Sequence, residues 1–139
     1  MPQHHSVLIV EDDAAIRDVF GEVLRGAGHD VTLARNGEEA MSLLRDGCAP
    51  CLIVADLLMP VLDGWGLAAE LARVPQLASI PLVVLSAQLS SGEEGTPPGA
   101  RARLTKPISI DALIAIVQEN CLGADGKQDS SIDGQQVAW

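Results

Sequence analysis

Apolar residues fall into two patterns along this chain, short unbroken runs and longer stretches at helical spacing, and the two alternate. Val7-Leu8-Ile9-Val10, Cys51-Leu52-Ile53-Val54-Ala55 and Pro81-Leu82-Val83-Val84-Leu85 are unbroken, as expected of strands buried on both faces. After the first run, Ile16, Val19, Phe20, Val23, Leu24 and Ala27 recur at the spacing of one helix face. Asp12 or Asp13 can cap that helix, and Gly28 stands where a glycine would end it. A short strand is predicted over Asp30 to Ala34. The turn Asn36-Gly37 then opens a second helix, with Glu38 and Glu39 favourable to its dipole and Ala40, Leu43 and Leu44 turned inward. A third helix is predicted from about Gly64 to Arg73. A weaker strand ends at Thr105-Lys106-Pro107, and the last helix carries Ile110, Leu113, Ile114, Val117 and Cys121 in one stripe, with Ser109 as its cap.

Strands that alternate with helices imply βα units and a parallel sheet. The expected class is therefore α/β, a doubly wound five-stranded parallel sheet with helices on both faces. Right-handed crossovers and a switch point between the first and third strands favour the order 2-1-3-4-5. Two regions fit less well. Pro97 and Pro98 cannot sit inside a helix without losing hydrogen bonds and clashing, so the fourth helix, expected within Gln88 to Gly99, is predicted to be short or degraded. From Gly123 to Trp139 the chain is polar and aperiodic, which predicts a disordered tail or linker. The expected boundaries are an N-terminal extension over residues 1–5, one domain over 6–122 and the tail over 123–139.

Four of the predicted strands, the weaker one included, end in chemistry. The first runs into Glu11, Asp12 and Asp13, the third into Asp56, the fourth into Ser86 and the fifth into Lys106. Open parallel sheets bind ligands just beyond the carboxyl ends of their strands, so acid, acid, hydroxyl and amine converge on one predicted site. Grouped carboxylates repel each other by roughly 3 kcal/mol per pair at about 5 Å and an effective dielectric near 20. A divalent cation such as Mg²⁺, which takes carboxylate, water and phosphate oxygens, relieves that repulsion.

Composition narrows the function. A net charge of −10 argues against direct nucleic-acid binding, which needs clustered Lys and Arg, and suits divalent cations or basic partners. Only Phe20, Trp65 and Trp139 are aromatic, so the core must be aliphatic, and Trp65 is expected to be partly exposed. No apolar run is long enough to span a membrane, and the first residues lack the basic and apolar regions of a secretory signal, which together predict a cytoplasmic protein. Cys48-Ala49-Pro50-Cys51 has redox-motif spacing but sits on the approach to a strand rather than at a helix N-terminus, so the three cysteines read as small apolar residues. His4, His5 and His29 are too scattered for a metal site.

In combination, V-E-D-D followed by Arg17, D-L-L-M-P-V-L-D-G from Asp56, V-V-L-S-A and L-T-K-P resemble the receiver domain of bacterial two-component response regulators, including chemotaxis-type single-domain regulators. That resemblance runs from about Ser6 to Leu122 and implies a flavodoxin-like fold. It implies Asp56 as the phosphoacceptor, a carboxylate nucleophile that forms an acyl phosphate. Glu11 and Asp12 match the acidic pair that holds Mg²⁺, Asp12 directly and Glu11 through water, with the Leu58 backbone carbonyl and Asp56 completing the metal shell. Ser86 and Lys106 match the hydroxyl and the lysine that contact the phosphoryl group, and Pro107 the cis-type bend after that lysine. Asp13 is expected to cap, and Asp63-Gly64 to make a turn.

The implied function is a signalling phosphoacceptor rather than an enzyme. It would take its phosphoryl group from a sensor histidine kinase or phosphotransfer protein, hydrolyse it slowly and switch a downstream partner. Arg103 departs from the family, which mostly carries Tyr or Phe there as a ring that swings inward. A guanidinium cannot enter an apolar pocket without a partner. Output is therefore expected through ordering of Leu89–Gly99. Apolar Leu58, with Gln88, occupies a position that tunes hydrolysis and predicts a long-lived phosphorylated state. A phosphorylation-independent docking module is the main alternative. An aspartyl-phosphate phosphohydrolase is disfavoured, because Leu58 stands where that chemistry needs a second Asp. The residues beyond 122 are too few for a DNA-binding or catalytic domain, so the chain reads as a stand-alone regulator or a piece of a larger, hybrid protein.

Overall fold

The unbroken apolar runs form the middle of a five-stranded parallel sheet. In the computed structural model, residues 6–59, 61–86 and 97–129 are described, with side chains as far as residue 121. The strands are β1 (Ser6–Val10), β2 (Asp30–Ala34), β3 (Leu52–Asp56), β4 (Leu82–Ser86) and β5 (Ala102–Thr105), in the spatial order β2-β1-β3-β4-β5. The helices are α1 (Ala14–Gly26), α2 (Gly37–Arg45), α3 (Gly64–Arg73), a four-residue α4 (Pro75–Ala78) and α5 (Ile110–Asp129). This is the flavodoxin-like order expected from the crossover rule.

Alternation along the strands splits the core into two aliphatic layers. Val7, Ile9, Leu52, Val54, Val83 and Leu85 face α1 and α5, where they meet Leu24, Leu113, Val117 and Cys121. Leu8, Val10, Ile53, Ala55, Leu82 and Val84 face α2, α3 and α4, against Ala40, Met41, Leu44, Leu67, Leu71 and Leu77. Every residue of β3 and β4 is buried. Each large aliphatic side chain there contributes about 1.5–3 kcal/mol by leaving water.

Local chemistry sets the helix ends. Asp13 caps α1, its Oδ1 accepting from the Ala15 and Ile16 amides at 2.9 and 3.1 Å, and Gly28 follows the helix with φ +98°. Asn36 caps α2 by accepting from the Glu39 amide at 2.8 Å, and Asp63 caps α3 by accepting from the Gly66 amide at 2.9 Å. Ser109 accepts from the Ala112 amide at 3.0 Å at the start of α5.

Four expectations need correction. Val19 and Ile110, predicted to face the core, are 49% and 54% exposed, and Ala27 is exposed too. The stripe on α1 is therefore narrower than its spacing implies, centred on Leu24 and buried Gly21. Met41 is fully buried beside Ala40 and Leu44, while Leu43 is only partly buried. Cys51 and Cys121 are bonded to each other, leaving Cys48 as the free thiol. Helix α4 was not predicted; Pro75 opens it, where a missing amide costs nothing.

The predicted short fourth helix falls almost wholly on residues 87–96, outside the described residues. Helix α5 continues past Leu122, where the sequence places the end of the domain. No helix among the described residues is long and apolar enough to cross a membrane.

Val61 has φ +73° and is 71% exposed, so a β-branched side chain occupies the left-handed region without burial to compensate. Val61→Asn, which tolerates that conformation, is expected to raise the unfolding free energy by about 0.5–1.5 kcal/mol in a urea titration.

Candidate functional site

The parallel register brings the carboxyl ends of β1, β3, β4 and β5 to one edge. Val10 pairs with Ala55, so Glu11 and Asp56 leave their strands side by side. Asp56 pairs with Leu85, one residue before Ser86, and Ser86 pairs with Thr105, one residue before Lys106. The Lys106 amide donates to the Ser86 carbonyl at 2.7 Å. Ser86 itself is buried.

Side chains then converge. Lys106 Nζ donates to Asp56 Oδ2 at 2.8 Å and lies 3.5 Å from Glu11 Oε1. The other Asp56 oxygen, Oδ1, accepts from the Leu58 amide at 3.3 Å. Carboxylate oxygens of Glu11, Asp12 and Asp56 lie within 4.8 Å of one another. Glu11 and Asp56 are buried and Asp12 is exposed, which leaves an open side toward solvent. Asp13 is absent from this group because its carboxylate is committed to capping α1.

Two arrangements hold the acidic loop in place. The Asp13 amide donates to Glu11 Oε2 at 3.1 Å. Arg17, in the first turn of α1, reaches back to donate from Nη1 to the Glu11 carbonyl at 2.8 Å. Helical side chains tilt toward the N-terminus, so an arginine one turn into the helix can reach the preceding strand end. Only its place after V-E-D-D hinted at this contact. At β3, the Gly64 amide donates to the Leu57 carbonyl at 3.0 Å, and a Cβ on Gly64 would come within 2.9 Å of the Asp56 carbonyl oxygen. The glycine of D-G is therefore a close-approach residue as well as part of a turn.

Burial raises the Glu11 carboxyl above its ordinary value of 4.5; the Asp13 amide opposes this, while the Asp56 charge adds to it. Lys106 loses hydration, but its hydrogen bond to Asp56 and the charges of Glu11 and Asp56 outweigh that and raise it. The cluster thus holds more negative charge than one lysine balances. An all-oxygen donor set with surplus negative charge fits a hard divalent cation such as Mg²⁺.

The other predicted residues are less central. Leu58 places its peptide amide against Asp56 while its side chain is 57% exposed. Arg103 is half-buried within β5, opposite Val84; Ala102 and Leu104 pack in the α1/α5 layer, so alternation puts Arg103 on the other face. A groove of about 580 Å³ lies away from the site, at the amino ends of β1 and β2, lined by Ser6, Asp30, Thr32, Leu43, Asp46 and Cys48 among others. None of the converging residues lines it, and the strand-end chemistry rather than this groove marks the site.

Comparison with known proteins settles the family. The response regulator receiver domain matches residues 7–118. The chain belongs to that family. A 14.6 kDa protein of Leptolyngbya boryana, described as uncharacterized, is 35% identical over 118 residues, covering 84% of this chain and 89% of that protein. RpaA of Synechocystis, described as a DNA-binding dual master transcriptional regulator, is 35% identical over 114 residues, covering 81% of this chain. The match spans only 47% of RpaA, so the chain covers about half the length of that relative. Among solved structures, a response regulator described as putative from Chloroflexus aurantiacus superposes with a TM-score of 0.77 at 32% identity, covering 86% of this chain and 99% of that one. Receiver domains are signalling domains of two-component systems rather than conventional enzymes, and residues 7–118 of this chain form one.

The raised Glu11 value fixes a sign for stability. A carboxyl whose folded value lies above its unfolded one favours folding while protonated, and that contribution is lost as the pH rises through the folded value. At neutral pH, ionised Glu11 is therefore a destabilising charge. Glu11→Gln keeps an acceptor for the Asp13 amide and removes the charge. Without metal, it should raise the urea midpoint at pH 7, by a margin that shrinks as the pH falls through the raised Glu11 value toward 4.5.

Proposed function

We propose that Asp56 accepts a phosphoryl group from the phospho-histidine of a sensor histidine kinase or phosphotransfer protein, in a Mg²⁺-dependent reaction, and that the product switches binding of a downstream protein. The observation that carries this reading is the buried Asp56 carboxylate held between the Lys106 ammonium at 2.8 Å and the acidic pair Glu11 and Asp12.

One Asp56 oxygen attacks phosphorus as the phosphorus–nitrogen bond to the donor imidazole breaks, leaving an acyl phosphate and a neutral histidine after proton uptake. Such transfer has little covalent chemistry for the protein to perform and depends on positioning and charge. Glu11, Asp12, Asp56 and the Leu58 carbonyl would hold Mg²⁺, which supplies positive charge that stabilises the transferring phosphoryl oxygens. Lys106, a compact cation already at the carboxylate, follows the added charge. Ser86 offers a hydroxyl donor whose acceptor exists only after phosphorylation, which makes it the natural switch contact. The net charge of −10 favours protein partners over nucleic acid. Residues 6–122 carry this function, and the stretch 123–139, into which α5 continues as far as Asp129, serves as tail or linker.

Arg103 gives the switch a cation where family members mostly carry an aromatic ring. Output through the 89–99 segment concerns residues largely outside those described. The intact set Asp56, Asp12, Ser86 and Lys106 supports phosphotransfer over a purely passive docking role.

Incubation with Mg²⁺ and a small-molecule acyl phosphate should add the mass of one phosphoryl group. Asp56→Asn or omission of metal should abolish it; an unmodified wild type with Mg²⁺ bound would overturn the reading. Leu58 presents no hydrogen-bonding side chain to an attacking water, so the phosphorylated state should be long-lived. Leu58→Asn should shorten its half-life roughly 3- to 10-fold, the worth of one modest hydrogen bond in the transition state.

A further inference from the structure

Cys51 and Cys121 are joined sulfur to sulfur, with Cα atoms 5.3 Å apart and a sequence separation of 70. The two core layers explain the pairing. Cys51 and Cys121 both belong to the α1/α5 layer, whereas Cys48 packs against the layer of α2, α3 and α4. Motif spacing would join Cys48 to Cys51; the fold joins Cys51 to Cys121. We propose that Cys51 and Cys121 form a reversible redox site, closed by a disulfide oxidant of the glutathione class and reopened by a thiol reductant.

Both states are accommodated. The Ser6 carbonyl oxygen lies 3.1 Å from Cys51 Sγ, so the reduced thiol has an acceptor ready. Cys121, buried in the stripe with Leu113 and Val117, is at home as a thiol or as half of a disulfide. Cys51 is half-buried and Cys121 is 2% exposed, so Cys51 reacts first. Its thiolate attacks one sulfur of the oxidant, whose sulfur–sulfur bond breaks and releases one small thiol. The Cys121 thiolate then attacks Cys51 Sγ, forms the internal bond and releases the second small thiol. Two electrons pass to the oxidant, and the two protons leave on the two released thiols.

Closure has a structural consequence. Strand β3 is already tied to the β5–α5 segment at its carboxyl end by Asp56 and Lys106. The disulfide ties the same two segments at the other end, just before β3 begins. Oxidation thus adds a covalent tie between α5 and the segment before β3, and reduction leaves the ion pair and the packing of Leu113 and Val117 against the sheet. It also shortens the unfolded chain's freedom by closing a long loop. The site stands whether or not Asp56 accepts a phosphoryl group.

The test equilibrates the full chain in glutathione buffers from reducing to oxidising, traps free thiols by alkylation and maps peptides. Oxidising buffers should yield a Cys51–Cys121 peptide with Cys48 alkylated, and a thermal midpoint higher by about 5–15 °C than in the reduced chain. Cys48→Ser should keep both effects, and Cys121→Ser should lose both. Should Cys121→Ser fail to fold, Cys51→Ser at the half-buried position makes the same comparison. Three alkylated cysteines in a folded chain at the most oxidising ratio would overturn the proposal. So would a Cys48–Cys51 peptide, or the expected cross-link without a rise in midpoint.

Discussion

Three carboxylates crowded at one edge of an aliphatic sheet are the constraint to which the rest of the site responds. Glu11 and Asp56 leave adjacent strands in the same direction, and neither can move apart without breaking the β1–β3 register that fills the core. Lys106 bridges them from β5, which lies two strands beyond β3. The Asp13 amide and the Arg17 guanidinium fix the loop that carries Glu11 and Asp12. Even so, burial keeps Glu11 harder to ionise than a free glutamate, and three carboxyl groups face a single lysine. That surplus of carboxyl groups suits a hard divalent cation, which is what the proposed phosphoryl transfer would draw on.

Position follows from topology. In a doubly wound sheet, the chain leaves β1 and β3 toward opposite faces, which opens a crevice between their ends. Asp56 sits at that crevice on a strand buried throughout, so its backbone cannot drift. Behind it, Gly64 lets α3 close against the end of β3, where any side chain would collide with backbone. Rigid placement suits phosphoryl transfer, in which orientation and electrostatics outweigh covalent catalysis.

The carboxyl-terminal segment is where a change in this site would be felt. Lys106 joins Asp56 directly, and α5 begins a few residues later at Ile110. Any group added to Asp56 competes for Lys106 and so acts on the link between β3 and α5. The Cys51–Cys121 bond acts on that same pair of segments from the far end. A charge contact and a covalent contact thus share one mechanical element.

Much of this was written in local sequence. Unbroken runs at Val7–Val10 and Pro81–Leu85 predicted buried strands, and Asp13, Asn36, Ser109 and Gly28 predicted helix ends, because capping involves groups only a few residues apart. The carboxyl ends of the first, third, fourth and fifth strands also brought Glu11, Asp12, Asp56, Ser86 and Lys106 into view, since a parallel sheet gathers all its strand ends at one edge. Spacing misjudged Val19 and Ile110, because periodicity gives the direction of a helical face but not how far the neighbouring layer extends over it. It missed the reach of Arg17, the close packing at Gly64 and the choice of Cys121 over Cys48 as partner for Cys51. Those depend on distances between segments far apart in the chain, which only the packed layers determine.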